Sequence, residues 1–167
     1  MTSYQSPDQH FKIRIADRKD SELIYAFIKK LAHYEKLEHV MTSTVSKIEK
    51  SLFDLHQAEV ILCYYNDEPI GFALYFYTYS TFLGKANLYL EDLFIDEAYR
   101  GKGFGKRMFS FLAKLAVEKE CERLDFMCLT WNESSIHFYK RLGAVPLDDW
   151  ITFRLNKDAL AKLADQR

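Results

Sequence analysis

Phe11, Lys12, Ile13, Arg14 and Ile15 alternate apolar with polar, the period of a half-buried strand. After Asp20 the period changes. Leu23, Ile24, Phe27, Ile28 and Leu31 recur at three- and four-residue spacing, which predicts an amphipathic helix to about His33 with Asp20 as its cap. Thr42 and Thr44 offer caps for a second helix, striped by Val45, Ile48 and Leu52 and ending near Leu55. AEVILCYYN and PIGFALYFYTYS read as two strands, folded into an antiparallel hairpin by the turn chemistry of Asn66, Asp67 and Glu68, and NLYLEDLFI (87–95) is a third. A glycine-rich turn then leads into a helix over 104–119, with Met108, Phe111, Leu112 and Leu115 on one face. Residues 123–129 read as a strand, 133–142 as a short helix stopped by Gly143, and 151–155 as a last strand before a C-terminal helical segment. Antiparallel strands followed by strand–helix–strand crossovers imply an α/β fold, a mixed sheet covered by helices.

The 167 residues suit one domain, read as a tail over 1–10 and a single domain over 11–167. Hydrophobic residues at 49%, with few glycines and prolines, exclude collagen-like and disordered classes. The 13 Phe, 11 Tyr and 2 Trp exceed the needs of a minimal core, and tyrosines that keep a polar tip near solvent suit the lining of a cleft. A net charge of −1 gives no general affinity for nucleic acid. The N-terminal residues lack an apolar signal core and no later run is long enough to span a membrane, so a cytoplasmic protein with no membrane partner is expected. Cys63, Cys121 and Cys128 are odd in number, lack metal-ligand spacing and sit in apolar contexts, so they read as buried hydrophobes, with no metal site.

Arg100, Gly101, Lys102, Gly103, Phe104 and Gly105 lie between a strand and a helix N-terminus, where free amides and the positive dipole end favour phosphate. Lys106 and Arg107 add positive charge. A Walker A loop would need four residues before Gly-Lys and then Ser or Thr; here three intervene and Arg107 follows Lys106. A dinucleotide turn would need glycine where Lys106 stands. Arg-x-x-Gly-x-Gly before a helix remains, alongside a bland reading as a turn with solvated lysines.

That pattern resembles the pyrophosphate loop of the GNAT acyl-CoA-dependent acetyltransferases. FIKKLAHYEKLE, GFALYFYTYSTFLGK, LYLEDLFIDEAYRGKGFGKRM and WNESSIHFYKRLGA are similar, in order and spacing, to the spermidine/spermine (diamine) acetyltransferase group and its bacterial small-amine relatives. The resemblance implies a mixed, mostly antiparallel sheet whose strand 87–95 splays from strand 123–129. In that gap the pantetheine arm of acetyl-CoA pairs with backbone groups of Leu93, Phe94 and Ile95, while residues 100–106 hold the pyrophosphate and Asn132 contacts the arm. Asn132 also reads as a helix N-cap.

Acetyl transfer to an amine requires a neutral nucleophile, a stabilised thioester oxygen and a proton for the departing thiolate. The resemblance makes Tyr139 that proton donor, and a phenol can protonate a thiolate without being ionised at pH 7. Glu91 becomes the carboxylate that attracts the ammonium and accepts its proton through water; Tyr34 and Glu35 form a second contact for a cationic chain, and Asp92 is counted on the same side. Read from the residues alone, Glu91 and Asp92 face opposite sides of the strand, so one at most enters any given pocket, and Asp92 goes to a salt bridge or a loop cap. His33 and His137 have no triad partners. Ser80 stands where polyamine enzymes tend to be acidic, which removes a possible ammonium contact.

The expected activity is transfer of acetyl from acetyl-CoA directly to a primary amine of a small cationic acceptor, diamine- or polyamine-like, by a homodimer and without a metal. The alternatives are the same chemistry on a lysine analogue, amino acid, aminoglycoside or protein amine, or a non-catalytic acyl-CoA-binding module.

Overall fold

The structure is a computed structural model that describes residues 3–5 and 10–165. It forms two compact units, divided between Met127 and Cys128. The first holds a six-stranded sheet whose strands lie side by side in chain order: β1 (Ser3–Gln5), β2 (Phe11–Ile15), β3 (Glu59–Tyr65), β4 (Glu68–Ser80), β5 (Lys85–Ile95) and β6 (Leu124–Phe126). Successive strands are antiparallel from β1 to β5, and β6 runs parallel to β5. This is the mixed, mostly antiparallel sheet the sequence predicts. Within the segment read as a tail, β1 pairs with β2, Tyr4 opposite Ile13.

The hairpin turn is tight because Asn66 and Asp67 both adopt the left-handed conformation, φ 52° and 62°, which matches the twist of β3 and β4. Helices α1 (Ser21–Glu35) and α2 (Val45–Glu49) cover one face of the sheet. Ile24, Phe27 and Leu31 of α1 and Ile48 of α2 pack there with Val60, Leu62, Phe72 and Phe94. The Thr44 side chain accepts the Lys47 N–H at 3.2 Å and so caps α2, which continues as a π-helical turn over Lys50–Asp54. The alternate residues of the strands point to the opposite face, where α3 (Phe104–Glu118) lays Phe104 on Phe11 at a ring separation of 5.0 Å. Cys63 lies buried in the sheet, its thiol pushed up to about 12 by burial; Cys121 and Cys128 are half-buried rather than buried.

Three expectations need correction. Asp20 stands at the N-cap of α1 but makes no cap hydrogen bond. Its carboxylate instead accepts two bonds from Arg14, both 2.7 Å, and the Asp17 N–H at 2.8 Å, and the Arg14 guanidinium holds it below the usual carboxylate range. The strand read over 123–129 shrinks to Leu124–Phe126, the stretch that pairs with β5. Residues 151–155 are not a strand. Their alternation is real, but a strand needs an edge to pair with, and none pairs with them among the described residues. The second unit contains α4 (Glu133–Arg141) and α5 (Lys157–Ala164), capped by Asn132 and Asn156.

Candidate active site

The register of β4 against β5 slips by one residue: Leu74 pairs with Asp92 and Tyr75 with Leu90, leaving Glu91 as the extra residue of a β-bulge. The β5–β6 ladder ends at Leu90 and Phe126, immediately before that residue. A bulge bends its strand away from a straight path, so the parallel partner loses contact there, and residues 91–95 have no strand on that side among the described residues. This is why β6 is short. The Asp96 N–H donates to the Ile70 carbonyl at 2.8 Å, on the β4 side. Backbone direction alternates along a strand, so the amides and carbonyls of Leu93 and Ile95 turn toward the open side. Phe94 is buried beside Phe27, and only its backbone is available to a ligand.

The bulge also overturns the expectation that Glu91 and Asp92 face opposite ways. Asp92 lies opposite Leu74, on the face where Phe72 and Phe94 meet α1. Glu91 lines a cleft of about 480 Å³ on that same face, together with Leu74 and Phe76 of β4, Ile28 of α1 and Ile48 of α2. An inserted residue resets the alternation, and two consecutive carboxylates come to share one face.

Asp92 is half-buried and makes no hydrogen bond or ion pair among the described residues, so the salt bridge or cap expected for it does not form there. Burial first, then the charges of Glu91 and Glu35, push its carboxyl up to about 7. Glu35, the last residue of α1, is raised by burial as well. The cluster thus joins three acidic side chains to the negative end of a helix, an environment that favours a cation or a proton. Among the described residues no group of His, Cys, Asp and Glu is arranged to hold a metal ion.

Following β5, Gly101 and Gly103 adopt left-handed backbone, φ 75° and 84°, and Gly103 is the N-cap of α3. No side chain caps that helix, and a Cβ on either glycine would meet open space. The amides of Phe104, Gly105 and Lys106 therefore open onto a cradle with Lys102 and Lys106 beside it, which fits the pyrophosphate of acetyl-CoA. The Phe104 ring belongs to the core, so only its amide faces a ligand. Arg100 is held by the fold: its Nε donates to the Ile95 carbonyl at 2.9 Å and its guanidinium lies 4.4 Å above the Tyr34 ring. That contact ties the end of α1, and with it Glu35, to the glycine turn. Ser80 ends β4, where its hydroxyl accepts the Leu83 N–H at 3.3 Å.

In the second unit the buried Asn132 side chain accepts the Ser135 N–H at 3.2 Å, the helix cap expected of it. Tyr139, a turn and a half along α4, is half-buried with its ring 5.5 Å from that of Phe138. Sequence reasoning missed the cleft's polar lining, Ser43, Lys47, Ser51 and Gln57. These residues carry no motif: Lys47 and Ser51 lie one turn apart beside the Ile48 and Leu52 stripe, where polar side chains read as the solvent edge of an amphipathic helix.

Residues 22–144 match the acetyltransferase (GNAT) family. Over 165 residues the chain is 32% identical to thialysine N-epsilon-acetyltransferase of Mus musculus, covering 92% of this chain and 96% of that one. It is also 32% identical over 171 residues to spermidine/spermine N(1)-acetyltransferase-like protein 1 of Homo sapiens, covering 96% of this chain but 24% of the relative. The chain thus spans about a quarter of that protein's length. Among solved structures, an integron cassette protein from the mobile metagenome of V. cholerae superposes with a TM-score of 0.78 at 26% identity, covering 94% of this chain and 99% of that one. The uncapped glycine turn, the open edge of β5 and these likenesses converge on one conclusion: the chain belongs to the GNAT family and is an acetyl-CoA-dependent N-acetyltransferase.

Proposed function

We propose that the acceptor is a small aliphatic amine, diamine-like in entering as a cation, and that Glu35, Glu91 and Asp92 receive it. The observation that supports this most is the bulge, which turns two consecutive carboxylates onto one face and leaves Asp92 unpaired with its carboxyl pushed up to about 7. An aliphatic ammonium has a pKa of about 10.4 and must lose a proton before its nitrogen can attack. Asp92 takes that proton on a carboxylate oxygen, directly or through one water, while Glu91 holds the ammonium in place. A carboxylate titrating near neutrality is a far better base than one at the usual value of 3.8.

When bound, acetyl-CoA supplies an activated acetyl group: the N–C bond forms as the C–S bond breaks. The amides at the start of α3 and the open edge of β5 orient that group, and Tyr139 gives its phenolic proton to the departing sulfur. Two protons leave the nitrogen: the ammonium gives the first to Asp92 before attack, and the acetylated nitrogen gives the second to the Tyr139 phenolate, which restores the phenol, while Asp92 returns its proton to solvent. A panel of amines assayed by thiol release tests the reading. Cationic aliphatic amines should exceed neutral-tailed monoamines of equal length in kcat/KM, and Glu91→Gln should remove that preference; equal rates across the panel would exclude a cationic acceptor. Tyr139→Phe should keep acetyl-CoA binding and lower kcat by roughly 10- to 10⁴-fold.

A further inference from the structure

Asp96 and Arg100 bound the short connection from β5 to the glycine turn, and both reach back to α1. The connection is a closed turn: the Tyr99 N–H donates to the Asp96 carbonyl at 2.9 Å and the Arg100 N–H to the Glu97 carbonyl at 3.1 Å. The Lys30 ammonium of α1 donates to both Asp96 carboxylate oxygens, at 2.8 and 2.9 Å. One helical turn further on, the Tyr34 ring lies 4.4 Å from the Arg100 guanidinium, which also stands 5.4 Å from the Phe94 ring and is tethered through Nε to the Ile95 carbonyl. Both rings neighbour an acceptor carboxylate. Tyr34 precedes Glu35, the last residue of α1, after which the chain turns away through left-handed Lys36, φ 60°. Phe94 shares its face with Asp92, two residues before it on β5. Arg100 thus spans the two elements that carry Glu35 and Asp92. Those carboxylates repel when ionised, and a helix end frays readily, so a force is needed to keep them close. The stack supplies it. An ammonium approaching the same face of Tyr34 would meet the guanidinium already there.

We propose that Tyr34 is a positioning residue for the acceptor: its stack with Arg100 holds Glu35 against Asp92, so that both carboxylates face one cationic chain. This rests on the reading that Glu35, Glu91 and Asp92 receive the acceptor.

The test follows kcat/KM against pH at saturating acetyl-CoA, with whichever of putrescine, cadaverine and lysine turns over fastest. Tyr34→Leu should raise KM by about 3- to 10-fold, the scale of one lost cation–π contact. Asp92 is faced by Glu91 on its own strand and by Glu35 from α1, so withdrawal of Glu35 should also lower the midpoint of the profile below about 7, as Glu35→Gln does. Tyr34→Phe keeps the stacked ring and should keep the midpoint. Arg100→Met removes the stack from its other side and should lower the midpoint to the same value; it carries the test if Tyr34→Leu melts below the assay temperature. Because the stack acts through Glu35, the double variant Tyr34→Leu/Glu35→Gln should move the midpoint no further than Glu35→Gln alone. A purely structural tyrosine would lower the melting temperature and leave the midpoint in place. An unmoved midpoint and KM in folded Tyr34→Leu, or full additivity in the double variant, overturns the role of Tyr34. If Glu35→Gln also changes neither quantity, the acceptor reading falls with it; if Glu35→Gln alone changes them, only the positioning role fails.

Discussion

The glycine turn and the β5 bulge sit ten positions apart in the chain, Glu91 to Gly101, yet they are suited to opposite charges by opposite means. The turn offers backbone amides at an uncapped helix end; its amides do not titrate, and a single added side chain can fill the cradle. The bulge offers carboxylates whose charge depends on burial and on each other. Recognition by amides persists across pH, whereas recognition by the cluster changes near neutrality. The cosubstrate and the acceptor should therefore respond differently to substitution, pH and salt.

The largest effect is expected from Asp92→Asn. Loss of a positioned base should lower kcat/KM by roughly 10²- to 10⁴-fold and abolish the rise of rate with pH through about 7. Stability should move the other way. The folded carboxyl titrates at about 7 and the unfolded one near 3.8, so the native state binds the extra proton between those values. Stability falls as pH rises through that window, and the cost is complete above it. The neutral asparagine escapes it, so the variant should melt at a higher temperature than wild type at pH 8 and at a similar one at pH 4. The gain is at most about 4 kcal/mol, reduced by the partial exposure of the carboxylate. Acetyl-CoA affinity should be unchanged. A variant that loses activity and stability together would mark Asp92 as a structural residue.

Gly103→Val probes the other region. Left-handed backbone is strained by a β-branched side chain, at a cost of roughly 1–3 kcal/mol, and the new atoms enter the space beside the amides. Acetyl-CoA should bind roughly 10- to 100-fold more weakly through lost charge-assisted amide bonds. The thermal shift it produces should shrink equally at pH 6 and pH 8. An undiminished shift in the folded variant would remove the phosphate assignment, and a strongly pH-dependent one would break the contrast with the bulge.

The two regions also differ in what their residues disclose before folding. Gly101 and Gly103 carry their reason in their type, since left-handed backbone at a helix start calls for glycine. Asn66 and Asp67 disclose the hairpin in the same way, and the stripes of α1 and α3 disclose the faces they bury. The bulge has no such mark. Glu91 and Asp92 read as alternating because period two is the only rule available to a strand seen alone; the slip exists only against β4. Asp20 reads as a helix cap for a related reason: its carboxylate serves Arg14, a partner on another element. Residues 151–155 show the limit from the other side, because alternation describes a half-buried strand but does not provide the strand it must pair with. A lysine on a short helix, such as Lys47, reads as ordinary surface until the cleft beside it is known.

The smallest effect sharpens the electrostatic half of the contrast. Burial, Glu91 and Glu35 raise the Asp92 carboxyl in that order. Removing a negative neighbour lowers the cost of ionising Asp92, so the midpoint of the kcat/KM profile should fall below about 7 in Glu35→Gln and fall further in Glu91→Gln. The apparent base is then ionised over more of the pH range, and relative activity at pH 6 should rise even as KM for a cationic amine increases a few-fold. Salt discriminates the terms. Screening at an ionic strength of about 1 M shortens the Debye length to roughly 3 Å and should lower the midpoint most in wild type, less in Glu35→Gln and least in Glu91→Gln, which has lost the larger neighbouring charge. If both substitutions and salt leave the midpoint where it is, burial alone sets it, and the clustering of the carboxylates serves ammonium binding without tuning the base.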